Sequence, residues 1–193
     1  MAAAGLVLAA GAGRRYGMPK ALVPYEGRLL VQRAADTLRA AGCARIVVVL
    51  GAAASQVLAA APDLPEVVVN PDWASGMGSS LRSGLAALTD GPATAAVVLL
   101  VDMPGVTAEA VRRMAALATP DTLAMGGYGA RRGHPVLLGR NHWSGVADSA
   151  TGDRGARDYL RAHATQLQIV PVGDIADDTD LDEPPDRARD SAR

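Results

Sequence analysis

The stretch Leu6-Val7-Leu8-Ala9-Ala10-Gly11-Ala12-Gly13-Arg14-Arg15-Tyr16-Gly17-Met18-Pro19-Lys20 decides the fold. Its apolar start predicts a buried first strand over 6–9, and its continuation is a glycine-rich turn carrying two arginines and a lysine. Glycine reaches backbone conformations that let successive N–H groups converge on an anion, and the basic side chains supply countercharge. A polyphosphate at the end of a strand is the ligand such a turn is built to hold. Gly11, Gly13, Arg14, Arg15, Gly17 and Lys20 are its candidate contacts, an exposed turn being the competing role for the two arginines. The Gly-Lys-Ser/Thr ending of a P-loop is absent. A dinucleotide fingerprint is also absent, since Gly51 stands where an acid would hold a ribose.

Outward from this turn, predicted helices at 29–41, 57–61, 79–88 and 107–117 alternate with strands at 46–50, 67–69 and 97–101. Thr107 is the expected N-cap of its helix, a simple cap because Ala110 rather than Glu stands three positions on. The alternation predicts an α/β fold, a mostly parallel sheet covered on both faces. After residue 120 the rhythm changes. Strands at 122–125 and 136–138 flank a Gly- and Arg-rich turn over 126–133, which reads as a hairpin or crossing pair. A helix at 154–163 and a strand at 167–172 follow. The composition from Asp182 onward predicts a disordered tail over 182–193, leaving one domain over 1–181.

A chain of 193 residues suffices for one full core, and with no Phe and two Trp that core should be aliphatic. The net charge of -1 argues against nonspecific attraction to nucleic acid or membranes. The charge is uneven: seven Arg/Lys against two Asp/Glu in residues 1–60, and eight Asp/Glu against three Arg in the last twenty. Cys43 is alone, so no internal disulfide forms, a cytoplasmic location is the default, and Cys43 reads as buried filler. The opening residues have no basic leader and read as the first strand rather than a signal peptide. No segment approaches a membrane span.

Asp102 follows five aliphatic residues, at the carboxyl end of a buried strand, where open α/β sheets place their ligands. A magnesium ion takes oxygen ligands and bridges one or two carboxylates to phosphates, which makes Asp102 a candidate ligand, capping of a neighbouring turn being its competing role. The segment Asn70-Pro71-Asp72-Trp73-Ala74-Ser75-Gly76-Met77-Gly78-Ser79-Ser80-Leu81 joins a strand to a helix start, so Gly78, Ser79 and Ser80 are candidates for a base or ribose. Ser79 lacks the Gly-x-Ser-x-Gly context of a nucleophile and has helix capping as an ordinary role. His134, beside Arg131 and Arg132, is a candidate for a second anionic substrate or a structural turn histidine. His134, His142 and His163 lack zinc spacing. The acids Asp174, Asp177, Asp178, Asp180 and Asp182 follow the last strand, near enough in the chain for one or two to reach a metal at Asp102.

These motifs together resemble the MobA-like nucleotidyltransferases, most closely the molybdenum cofactor cytidylyltransferase branch. The resemblance rests on Leu8-Ala9-Ala10-Gly11 through Lys20, Asn70 to Leu81, Asp102-Met103-Pro104, Arg132-Gly133-His134-Pro135 and Thr151-Gly152-Asp153 through Arg157. It implies a Rossmann-like fold of the glycosyltransferase A type and a magnesium-dependent transfer of CMP from CTP to the terminal phosphate of molybdopterin, releasing pyrophosphate. It also implies residue roles: Leu8, Ala9, Ala10, Gly11, Gly13, Arg14, Gly17, Gly78, Ser79 and Ser80 toward the nucleotide, and Arg15 and Lys20 toward its phosphates. Asp102 and, in the late acidic motif, Asp178 are the implied metal ligands. Arg132, Gly133, His134, Pro135 and Asp153 face the pterin acceptor. Leu8-Ala9-Ala10-Gly11 favours CTP over GTP but is shared with sugar-phosphate nucleotidyltransferases. Guanylyl transfer, a sugar or polyol phosphate acceptor, and a nucleotide-binding protein without turnover therefore stay open. A transient contact with a molybdoenzyme or its chaperone is the partner that such a product implies.

Overall fold

The computed structural model describes residues 3–181, so the expected tail at 182–193 lies outside the described residues. In chain order the strands are β1 (Ala4–Ala9), β2 (Pro24–Tyr25), β3 (Arg28–Leu29), β4 (Ile46–Leu50), β5 (Glu66–Val69), β6 (Ala95–Leu100), β7 (Leu123–Tyr128), β8 (Arg131–Gly139) and β9 (Leu167–Pro171). The helices are α1 (Leu30–Ala40), α2 (Ala54–Ala60), α3 (Met77–Thr89), α4 (Ala108–Ala115), α5 (Trp143–Ser149) and α6 (Arg157–Ala162). Seven strands form one sheet in the order β5-β4-β1-β6-β8-β7-β9, while β2 and β3 pair as a small ribbon. Strands β5, β4, β1 and β6 are mutually parallel, and β8 alone runs against its neighbours.

Both faces of the sheet are covered because successive side chains on a strand point to opposite sides. On β1, Val7 and Ala9 join a core built with Leu30, Leu38 and Met114 from α1 and α4. Leu6 and Leu8 join the opposite core with Leu81, Leu85 and Trp143 from α3 and α5. A side chain at Gly84 would come within 2.4 Å of Leu6 Cδ1, so α3 lies directly against β1 and its first turn is held at the sheet's carboxyl edge. The expected cap on α4 is present, Thr107 accepting from the Ala110 N–H at 3.2 Å.

Several elements differ from the sequence-based boundaries. Helix α3 begins at Met77 rather than 79, because Gly76 at φ +110 turns the chain directly into it. Helix α6 is cut back to Arg157–Ala162, Gly155 at φ +52 separating it from the turn Gly152–Arg154. The expected turn over 126–133 is mostly strand. Only Gly129 and Ala130 join β7 to β8, and the register jumps from Met125↔Val136 to Gly126↔Gly133. The bulge so formed holds His134 and Pro135, joined by a cis peptide bond, and the Tyr128 hydroxyl donates to the His134 carbonyl at 2.5 Å. Bulges re-aim side chains beside functional sites. This one faces the carboxyl edge where β1 and β6 end.

Candidate functional site

A cleft of about 360 Å³ opens at that edge. Its wall includes the small residues Ala10 to Gly13, Ala74 and Gly76. Gly13 lies at φ +61, and a side chain there would overlap the Met18 carbonyl at 1.8 Å. The turn also closes on itself through Gly17 N–H to Gly13 O at 2.8 Å. Lys20 and Asp102 meet across the cleft, Nζ to Oδ2 at 2.8 Å, both mostly shielded from solvent. Leu8, Arg14 and Ser80 stand in the wall. Arg15 and Gly17 lie on the exposed outer turn, and Ala9 is buried in the core beneath.

Ser79 is neither cap nor wall. It is buried, with its hydroxyl 2.9 Å from the carbonyls of Asp72 and Gly76. Buried Asn70 donates to Ser79 Oγ at 2.8 Å and Ser80 Oγ at 3.1 Å, and accepts from the Asp72 N–H at 3.0 Å. Asn70 thus ties the end of β5 to the first turn of α3. Gly78 is held against Ala150, since a side chain there would come within 2.7 Å of its carbonyl carbon. Sequence reasoning gave Asn70 no role, although a lone amide ending a valine run is a visible signal. Trp73 was also missed. Its Cβ would lie 2.4 Å from a side chain at Gly51, so the glycine that excludes a ribose-binding acid makes room for the indole in the cleft wall.

A second cleft, about 630 Å³, adjoins the first and shares Leu8, Met77, Leu100 and Asp153 with it. Its floor is apolar, from Val98, Val136 and Leu138, and its rim carries Arg131, Arg132, Arg154, Arg157 and Arg161. Arg154, Arg157 and Arg161 follow a three-and-four spacing that would have placed them on one helical face. Gly133 and His134 line the cleft, whereas Pro135 is buried and is not part of its lining. Burial pushes the His134 imidazole down to about 4 against the opposing pull of Asp102 and Asp178, so it is neutral near pH 7. Asp153 accepts the Met77 N–H at 3.3 Å and braces the start of α3 between the clefts.

Asp178 reaches the site because the chain after β9 docks on the loop after β6. Asp177 N–H donates to Gly105 O at 3.1 Å, and Leu181 N–H to Asp102 O at 3.0 Å. The Asp178 side chain is 6% exposed, with Arg131 Nη2 2.9 Å from Oδ1. That approach lies off the direction of a hydrogen bond, and Oδ1 is buried without one. Room for the carboxylate exists only because residue 133 is glycine, since a side chain there would come within 2.1 Å of Oδ2.

Asp102 and Asp178 are hard oxygen donors on one edge, and the unsatisfied Oδ1 can accept a cation. Among the described residues no three His, Cys, Asp or Glu side chains converge to hold a metal unaided. This donor set fits a magnesium-like ion, which shares its coordination with substrate phosphates and water.

An α/β sheet with its ligand edge built in this way defines a nucleotidyltransferase fold. The MobA-like NTP transferase domain matches residues 5–167, and the chain belongs to that family. Nicotine blue oxidoreductase of Paenarthrobacter nicotinovorans is 40% identical over 187 residues, covering 92% of this chain and 91% of that protein. The bifunctional protein GlmU of Burkholderia thailandensis is 39% identical over 118 residues, of which this chain spans only 25% of the relative's length. Among solved structures, Rv0371c of Mycobacterium tuberculosis matches with a TM-score of 0.84 at 30% identity over 100% of both chains. Its complex with manganese matches at 0.79 and 30% identity, over 98% of this chain and 97% of that one. The nucleotidyl transferase of Methanothermobacter, 22% identical with a TM-score of 0.82 over 97% of this chain and 95% of that one, shares the fold. No helix among the described residues is long and apolar enough to cross a membrane.

Proposed function

We propose that this nucleotidyltransferase transfers CMP from CTP to the terminal phosphate of molybdopterin and releases pyrophosphate. The observation that carries this reading is the pair of adjoining clefts, one small and rich in glycine and alanine, the other large and arginine-rimmed, with carboxylates in both. In this reading Ala10 to Gly13, Arg14 and Ser80 bind the nucleotide, and Lys20 offsets charge on the departing pyrophosphate. The apolar floor accepts the flat pterin, and Arg132, Arg154 and Arg157 bind its phosphate. The acceptor phosphate oxygen, already anionic, attacks the α-phosphorus, so no general base is required. Neutral His134 fits that scheme, since it adds no charge beside the reacting anions. Catalysis comes from positioning two anions and neutralising their charge. A magnesium ion held by Asp102 and Asp178 would supply further neutralisation at the α-phosphate.

The direct test is pyrophosphate release with magnesium and molybdopterin, comparing CTP, GTP, ATP and UTP. CTP-dependent release supports the reading, whereas release with GTP alone moves the protein to guanylyl transfer. Silence with molybdopterin but release with a sugar or polyol phosphate replaces the acceptor.

A second reading comes from the relative named as an oxidoreductase of nicotine blue, which matches nearly the whole chain. In it the first cleft binds the nucleotide of NADH or NADPH, and the apolar cleft takes a flat heterocyclic hydride acceptor. Loss of absorbance at 340 nm dependent on such a dye, without pyrophosphate release from any nucleotide, would favour it.

A further inference from the structure

Two arginines elsewhere in the molecule hold their acids by two N–H bonds each, while others, such as Arg33 on Glu26, use one. Arg45 grips Glu66 at 2.8 and 2.8 Å, and Arg113 grips Asp174 at 2.9 and 3.2 Å. Arg131 does not do this with Asp178. A single Nη2 approaches Oδ1 at 2.9 Å without hydrogen-bond geometry, from a side chain that is 67% exposed. The acid is the fixed member of the pair, held by its docked backbone on both sides and by the space left at Gly133. The arginine is the movable one. It rises from the first residue of β8, its guanidinium lies 6.0 Å from the Tyr128 ring, and it borders the second cleft.

A buried carboxylate without a counter-ion is costly, whereas an exposed guanidinium loses little on release. We propose that Arg131 is a displaceable counter-ion, which holds its place beside Asp178 Oδ1 until a divalent cation takes that position. Arg131 is then a positioning residue, and its release leaves a guanidinium on the rim of the second cleft. This inference rests on the reading of Asp178 as a metal ligand.

The test is a manganese titration at pH 7.5, following the spectrum of free Mn²⁺ by electron paramagnetic resonance, with far-UV circular dichroism to check folding. Arg131→Ala should bind Mn²⁺ about five- to tenfold more tightly than wild type, because the ion no longer competes with a bound charge. Arg131→Gln should do the same while keeping side-chain length, and Arg131→Lys should fall between. Arg112→Ala, which removes an exposed arginine of α4 that pairs with Glu109 and lines neither cleft, should stay within about twofold. Asp178→Asn should weaken binding at least tenfold, by about the loss of one charged ligand. Unchanged or weaker binding in Arg131→Ala and Arg131→Gln, with Asp178→Asn still defective, would overturn the counter-ion role alone. Unchanged binding in Asp178→Asn would overturn the metal reading beneath it.

Discussion

The first cleft carries a run of small residues in its wall, Ala10 to Gly13, with Ala74 and Gly76. The second is walled by long arginines above an apolar floor. In the proposed reaction, walls of glycine and alanine would suit what every nucleotide shares, the phosphates and ribose, and would leave little to vary. Side-chain walls can be rewritten without disturbing the sheet, so in that proposed reaction acceptor choice would reside there. The same contrast holds for the acids. Asp102 comes straight off a parallel strand and meets Lys20 in a directed bond, whereas Asp178 arrives on a docked segment beneath a loosely placed arginine.

The largest effect should separate the two acids from everything around them. Asp102→Asn should lower turnover at least about a hundredfold at saturating magnesium, the scale for losing a preorganised charge-stabilising group. Near-wild-type turnover in that variant would remove Asp102 from the chemistry and leave the first cleft as a binding site only. Gly133→Ala should come next, because its new methyl would stand 2.1 Å from Asp178 Oδ2. We expect a stability loss of about 1–3 kcal/mol by urea denaturation, from overpacking, together with weakened Mn²⁺ binding. Gly129→Ala is the control: at φ +64 it strains the backbone but meets nothing within 4 Å, so metal binding should be kept. Equal Mn²⁺ affinities in the two variants would mean that the space at Gly133 does not position Asp178.

A smaller effect should divide the clefts from each other. Arg157→Ala should raise KM for the phosphorylated acceptor about tenfold, as expected for one charge-assisted contact, and leave KM for CTP unchanged. If both constants rise together, the two clefts are one binding unit and the contrast between them fails. Steady-state kinetics with each substrate varied in turn decides this.

The half of the sheet that forms the first cleft was the half legible from sequence. β1, β4 and β6 are short aliphatic runs buried on both faces, and periodicity plus the glycine turn placed Lys20 and Asp102 on one edge. The later half was less legible because its determinants are contacts between distant segments. The bulge at His134 and Pro135 extends β7 and β8 into what read as a turn. Asp178 owes its place to backbone bonds with Asp102 and Gly105, pairings that no local pattern announces. Ser79 looks like a ligand contact by residue type, yet it is buried bracing the start of α3, whereas Asp153 braces the same turn and also lines both clefts. The placement of side chains at the sheet edge was readable wherever strand and side chain lay within one continuous stretch.

The smallest predicted effect asks whether the parallel half is as tightly packed as its sequence pattern implies. Cys43 sits just before β4, packed against the core on the α1 side, and burial pushes its thiol up from 9.0 to about 11. The folded state therefore favours the neutral thiol. Its contribution to stability is fully present below about pH 9, where neither state has ionised, and is lost as pH rises toward 11. Thermal midpoints from pH 8 to 11 should fall more steeply for wild type than for Cys43→Ala, in which the group cannot ionise. At pH 8 native Cys43 should also react with a disulfide reagent far more slowly than the denatured chain, since the thiolate is the reactive form. Parallel pH profiles together with rapid labelling would mean that this corner opens readily, and the firm half of the molecule would then begin only at β1 and β6.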